Sequence, residues 1–553
     1  MGVRRGTRGS AIASLLLVMG ARRGTRGWAI ASLLLVRCGG ASQWTQLGGD
    51  VDGESARDYA GGTQGALAMS ADGTAIAVGA SGHDGGGENA GHVRVFDLAA
   101  GSWSQRGADI RGERAGDRSG SSVAMSADGR VVAVGEPDSE AGHTGRFEKD
   151  FGQARVFEWR DGAWARRGQP IGGVDAYDRA AGHGGLALDA AGDTLVVGAA
   201  AHAGPAGSGA GHVRVFDYDG DGDRWVQRGE DLDGHAPGDW FGVAVSVDSG
   251  GTTVAVGALF DDGDAEAGAF GCVACRGSAR VYEWSAGAWA QRGRDIDGAR
   301  DGDKSGSAVA LNGAGDVVAV GSPRSSASFD AAPGSAAVYA WDGAAWRPRG
   351  GRIESEDVGD LGGATLAISA TGDTVAVGAY LNDGGSDAAG RVRVLDWGGE
   401  AWAQRGGDLD GENRYDYSGY SLAMSASGDV VASGARYTAD AGYFAGHARV
   451  FGWVDDAPDP APTGAPSRRP AADACGDGRF EEPDDGKRHK KRIAKFRASA
   501  VASIELCNSR CAETAKCRGT EWKPSSKKPC RHLKGSRRKT CAKKSVCCSL
   551  VST

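Results

Sequence analysis

The sequence predicts an all-β fold, a seven-bladed β-propeller of four-stranded antiparallel blades followed by a small disulfide-rich module. Three observations predict it. A Trp-initiated segment recurs at Trp44, Trp103, Trp164, Trp225, Trp289, Trp346 and Trp402, at spacings of 59, 61, 61, 64, 57 and 56 residues. Each copy holds short runs rich in Val, Ala and aromatic residues, separated by Gly and Asp turns, and helical periodicity is absent. A near-constant period is the mark of units that bury their faces only against their neighbours.

One copy shows the elements in order. Trp289–Asp297 (WAQRGRDID) alternates apolar and polar residues; Ser307–Leu311, Val317–Gly321 and Ala336–Trp341 follow as three further strands. The hairpin between the second and third of these runs is often Ser-x-Asp-Gly, as at 70–73 and 126–129. Gly there readily takes the positive φ that tight hairpins need. If the Trp strand is the outermost of a blade, Trp44 has no preceding strands to join. It is then expected to pair with the last three strands, near Ser421–Ser425, Val430–Gly434 and Ala448–Trp453, closing the ring by exchange of one strand.

An Asp precedes the next strand in every copy: Asp58, Asp117, Asp178, Asp239, Asp303, Asp360 and Asp416. All but Asp178 sit in Asp-x-x-Gly. These are read as turn-capping carboxylates accepting backbone N–H bonds, and the repeated Trp as packing between blades. His92, His212 and His447 recur at one register, which points to structure rather than to a singular active site.

Asp239 to Val245 (DWFGVAV) with Val254 to Ala258 (VAVGA) resembles an FG-GAP repeat, the unit of integrin α-subunit propellers. Ser119-Gly120, Ser305-Gly306 and Ser418-Gly419 hold the FG place in other copies, and Gly198, Gly321, Gly378 and Gly434 begin the GAP-like element. The resemblance covers all seven copies and implies an extracellular, ligand-binding propeller. Calcium-binding members carry an Asp-rich loop in a hairpin that here is only Ser-Ala-Asp-Gly, so no calcium residues carry over. WD-repeat propellers are the alternative, but their period of roughly 40–45 residues is too short.

The chain has 553 residues, 94 of them Gly, and a net charge of −8 that hides an asymmetry. Residues 487–553 hold 20 Lys and Arg against three acids, a local +17 that leaves about −25 on the rest. Residues 1–41 repeat a basic stretch followed by AIASLLLV, too short to span a bilayer but suited to a signal-peptide core; Met19 is an alternative start. The expected organisation is a signal-like segment at 1–41, the propeller at 42–454, a Pro-rich linker at 455–474 and a basic cysteine-rich module at 475–553. Secretion or an extracellular surface is the expected location, with no transmembrane segment.

Cys475, Cys507, Cys511, Cys517, Cys530, Cys541, Cys547 and Cys548 crowd the end and read as a disulfide framework. The spacing from Cys507 to Cys530 resembles the core of a PAN/Apple module, which implies extracellular protein or glycan binding. Cys272 and Cys275 read as a loop-stapling pair. Lys487, Arg488, Lys490, Lys491, Arg492, Arg537, Arg538 and Lys539 suit a polyanion, and nucleic acid is disfavoured by the secretion signals. Asp217, Asp219, Asp221 and Asp223 stand at alternate positions, spaced as in a calcium loop, so calcium is the one candidate cofactor, with a solvated turn as the alternative. Asp261, Asp262, Asp264 and Glu266 form a second acidic loop.

Histidines are few, and nucleophile elbows, zinc-protease helices and phosphate-cradling loops are absent. The expectation is therefore a binding or adhesion protein rather than an enzyme. The competing expectations are an extracellular propeller enzyme acting on carbohydrate and a WD-repeat-like scaffold.

Overall fold

In a computed structural model of the protein, residues 42–140, 150–262, 275–323, 333–438 and 442–455 are described. The signal-like segment, nearly all of the linker and the whole cysteine-rich module lie outside them. The described residues fall in the first of two compact units, 1–459 and 460–553.

Seven antiparallel sheets stand in a ring. Blade I contains Leu67–Met69, Ala75–Ala80, His92–Ala99 and Ser102–Gln105, hydrogen-bonded in that order. Blades II to VI repeat it over 122–166, 186–227, 241–291, 308–348 and 365–404. The first strands of successive blades contact one another in cyclic order, which places them innermost around the axis. Blade VII takes Ser418–Met424, Val430–Ala435 and His447–Val454, and its outer strand is Gln43–Gln46. Trp44 lies opposite Trp453, and Gln46 opposite Phe451, so the ring closes by the strand exchange expected from the phase of the repeat.

Each sheet differs from expectation in one respect. The segment Trp289–Asp297 is two pieces, not one strand: Ala288–Gln291 and Ile296–Asp297, both paired to Ser278–Ser285. Arg292-Gly293 interrupts it, with Gly293 at φ +86°. A two-residue fifth strand therefore comes after the outer strand in every blade.

The core sits between blades. One apolar cluster joins Ala68, Ala77, Val93 and Val95 of blade I to Val123, Val132, Val134 and Phe157 of blade II, and six more clusters occupy the remaining joints. The second strand of almost every blade is buried throughout, as in Thr253–Ala258, because it is covered on both faces.

The Trp-x-Gln-Arg-Gly motif is the stitch across these joints. Trp103 Nε1 donates to Leu47 O at 2.7 Å, Trp225 to Arg167 O at 2.9 Å and Trp402 to Arg349 O at 2.7 Å; the other four Trp residues do the same one blade on. The motif Arg reaches the hairpin of the following blade, as Arg349 Nη1 does to Gly372 O at 2.8 Å, and covers the Trp397 and Trp402 rings. The motif Gln bonds an Asp four residues on, as Gln291 does with Asp295. Packing between blades, as expected, is what the Trp repeat does.

Candidate functional site

The seven capping Asp residues are buried and accept backbone N–H bonds from the residues before them. Asp178 takes Val174 N at 2.8 Å and Asp175 N at 2.7 Å; Asp303 takes Arg300 N at 3.0 Å and Asp416 takes Asn413 N at 2.7 Å. The ring of carboxylates is a set of turn caps.

The backbone just beyond each Asp is not legible in the sequence. The next residue adopts a left-handed conformation in all seven copies, and it is never Gly: Tyr59, Arg118, Arg179, Trp240, Lys304, Leu361 and Tyr417, with φ between +52° and +59°. Non-Gly residues rarely occupy this region, and such conformations persist where the surrounding structure over-determines them. The reason is local: the Asp cap closes one turn, and the chain must reverse before entering the innermost strand. The one signal in the sequence is the variability of this position (Tyr, Arg, Arg, Trp, Lys, Leu, Tyr) inside an otherwise repetitive motif.

Tyr59, Arg118, Arg179 and Trp240 line a cavity of about 460 Å³ at the axial mouth, within the ordinary range for ligand pockets. Blades VII, I, II, III and IV all contribute to it. On one side Arg118 and Arg179 converge on Asp138, at 3.0 and 2.9 Å. On the other, Arg436 lies over the rings of Tyr59, Tyr420 and Tyr437, 5.1–5.2 Å from each centroid, and donates to the Tyr420 hydroxyl at 3.0 Å. The aromatic cluster continues through Tyr380, Tyr417 and Phe444. Arg436 Nε is buried without a hydrogen-bond partner, and among the described residues no carboxylate pairs with this guanidinium.

His183 faces the same cavity. It remains open to solvent within the channel but is ringed by protein. That enclosure, together with the charges of Arg179 and Arg436, holds its imidazole below the ordinary value, against the opposing pull of Asp138. The neutral imidazole, the form able to accept a proton, is thereby favoured.

The other expected site residues are not brought together here. Asp217 faces Arg228 with 2.5 Å between Oδ1 and Nη2; Asp219 pairs with Arg224 at 2.9 Å; Asp223 accepts from Tyr218 Oη at 2.6 Å and Gly168 N at 3.0 Å. Asp221 is exposed. Three of the four carboxylates of the expected calcium loop thus have separate partners. Asp261 bonds Ser278 and Arg280, each at 2.6 Å. Cys275 is buried, but Cys272, Asp264, Glu266, the eight tail cysteines and the clusters Lys487–Arg492 and Arg537–Lys539 lie outside the described residues.

No family profile and no curated relative matches the chain. Among solved structures, the fold is similar to that of the periplasmic gluconolactonase of Pseudomonas aeruginosa, at 16% identity and TM-score 0.41, over 62% of this chain and 84% of that one. It is also similar to the GH74 xyloglucanase of Xanthomonas campestris, at 14% and 0.41, over 71% and 52%. A third is the β-propeller domain of the Trilobed protease of Pyrococcus furiosus, at 10% and 0.37, over 66% and 89%. The expectation of a non-enzyme is corrected by these findings, because the propellers in question are enzymes or belong to one. At this identity the likeness is of fold alone, and it carries no substrate to this chain. In its own right, the chain shows a seven-bladed β-propeller with a cationic, aromatic axial mouth.

Proposed function

We propose that the axial mouth binds an acidic carbohydrate and acts on it, outside the cytoplasm. The observation that carries this reading is Arg436, a guanidinium with no carboxylate partner among the described residues, caged by Tyr59, Tyr420 and Tyr437 at the edge of the cavity. A planar guanidinium recognises a carboxylate in a bidentate manner, and tyrosine faces pack against the C–H face of a sugar ring while their hydroxyls remain available to it. The mouth is cationic on a body whose net charge is strongly negative, which favours anionic ligands at this one place. Neutral His183, beside Arg179 and Arg436, supplies a proton acceptor next to groups that hold the negative charge formed when the proton leaves. The signal-like residues 1–41 and the resemblance of the blades to FG-GAP repeats support the extracytoplasmic setting. In this reading the basic segment 475–553 gathers the same class of polyanion.

Binding and turnover of uronate-containing oligosaccharides, compared with their neutral counterparts, test it. The acidic series is expected to bind about 10–100-fold more tightly, the range of one charge-assisted hydrogen-bond pair. R436M is expected to erase that preference while keeping the apolar stem over the rings. H183Q is expected to abolish product formation while leaving binding within about threefold, and the wild-type rate to fall only below the ordinary imidazole value of about 6.5. Equal binding of acidic and neutral sugars would overturn the ligand class. Turnover indifferent to H183Q would overturn the role of His183.

A further inference from the structure

Two histidine pairs lie buried away from the proposed base. In blade III, His202 and His212 stack with ring centroids 3.8 Å apart; in blade I, His83 and His92 stack at 3.9 Å. Each pair is flanked by the capping Asp of its own joint, with His202 Nδ1 at 3.0 Å from Asp178 and His83 Nδ1 at 3.2 Å from Asp58. Ligating atoms of Asp178, His202 and His212 lie within 4.8 Å of one another, as do those of Glu54, His83 and His92.

The capping bond alone explains one histidine of each pair. Blade VI shows how it is made without histidine: Asn382 occupies the position of His202 and donates to Asp360 Oδ2 at 2.7 Å, and Arg391 stands where His212 does. The second histidine has no such explanation. His212 and His92 are both 0% exposed, and among the described residues the buried Nε2 of each has no hydrogen-bond partner, while Asp231 and Asp109 approach their Nδ1 atoms to 3.4 and 3.8 Å. A buried polar atom left without a partner costs about 1–3 kcal/mol, and both blades leave one at the same place. Blade VII, with His447 but Thr438 in the other position, has no pair.

We propose that blades I and III each hold a Zn²⁺ ion, in blade III on Asp178, His202 and His212 and in blade I on Glu54, His83 and His92. Two imidazole nitrogens and a carboxylate oxygen are a donor set suited to zinc. Ligation requires the neutral imidazole, the form that full burial of His92 and His212 favours. Asp231 and Asp109 stand behind the inner histidines as the carboxylates that orient a ligating ring. In blade III the ion ties the hairpin after the second strand to the capping turn and to the third strand, clamping the wall on which Arg179 stands.

The test uses the full chain with its thiols oxidised, stripped by chelator and dialysed against Zn²⁺. The metal content of the wild type is compared with that of H83N, H202N and the double variant. Asn is chosen because Asn382 already makes the capping bond in this position, so the fold survives the change. Each single variant is expected to bind one ion fewer and the double variant two fewer; the difference cancels any zinc held by the tail cysteines. Zinc is expected to raise the unfolding midpoint of the wild type by more than that of the double variant. A double variant that binds as much zinc as the wild type overturns the proposal. A single variant that changes nothing overturns it for that blade.

Discussion

Asp239 is the clearest case of a single residue whose two roles conflict. It caps its turn by accepting Ala236 N at 2.9 Å, yet burial and the neighbouring charges of Asp261 and Asp262 raise its carboxyl to about 6, against the partial relief of Arg280. A folded-state value above the unfolded one of about 3.9 means that the native state prefers the proton. Its contribution is therefore favourable below about pH 4 and lost as pH rises through 6. D239N keeps an acceptor for Ala236 N and removes the charge. Its unfolding free energy is expected to exceed that of the wild type by on the order of 2 kcal/mol at pH 7.5 and to match it near pH 4; a constant difference at both pH values would dismiss the charge as the cause. Legibility divides within the same turn. The caps are readable because Asp-x-x-Gly recurs. The residue after each cap is not, because nothing in a single position announces a left-handed backbone when Gly is absent. Asp178 shows the limit: it lacks the motif Gly, yet Ala181 takes the same conformation at φ +59°.

Among elements, the broken outer strand matters most. Reading WAQRGRDID as one continuous strand overlooks that its Gly must make room for a ring from the next blade. A Cβ on Gly293 would lie 2.8 Å from the Trp341 ring and 3.1 Å from Trp346, at a φ of +86°. Left-handed strain of about 1–2 kcal/mol and overpacking of about 1–3 kcal/mol add there. G293A is thus expected to destabilise the propeller by about 2–5 kcal/mol in urea unfolding and to shift the Trp emission; a loss below about 0.5 kcal/mol would show that the joint is slack. Alternation of residue types can place the strand. It cannot show the interruption, which is imposed by a neighbour some fifty residues away.

Across the whole molecule, ring closure rests on a few residues. Gln43–Gln46 and Val51–Asp52 complete blade VII, Trp44 Nε1 bonds Arg405 O at 2.8 Å, and Arg405 covers Trp453. A chain lacking residues 42–52 exposes the edge of His447–Val454, and an unpaired edge invites pairing with another copy. The shortened chain is expected to unfold at a lower midpoint and to self-associate in sedimentation. A synthetic peptide of residues 42–52 is expected to restore both properties. An unchanged midpoint would mean that closure contributes nothing.

The number of blades, their phase, the exchange at Trp44 and the work of the Trp and Asp residues are all written in the order of amino acids. Each recurs with the period, and a repeated contact leaves a repeated residue. The mouth and the histidine pairs exist only in the folded ring. Arg436, Tyr420 and Tyr437 come from blade VII, Tyr59 from the turn before blade I and His183 from the turn before blade III, far apart in the sequence, and His202 meets His212 because a hairpin folds back, not because the two are close in a motif. Periodicity records what every blade needs. The candidate sites arise where the blades differ, and only closure of the ring brings those differences to one axis.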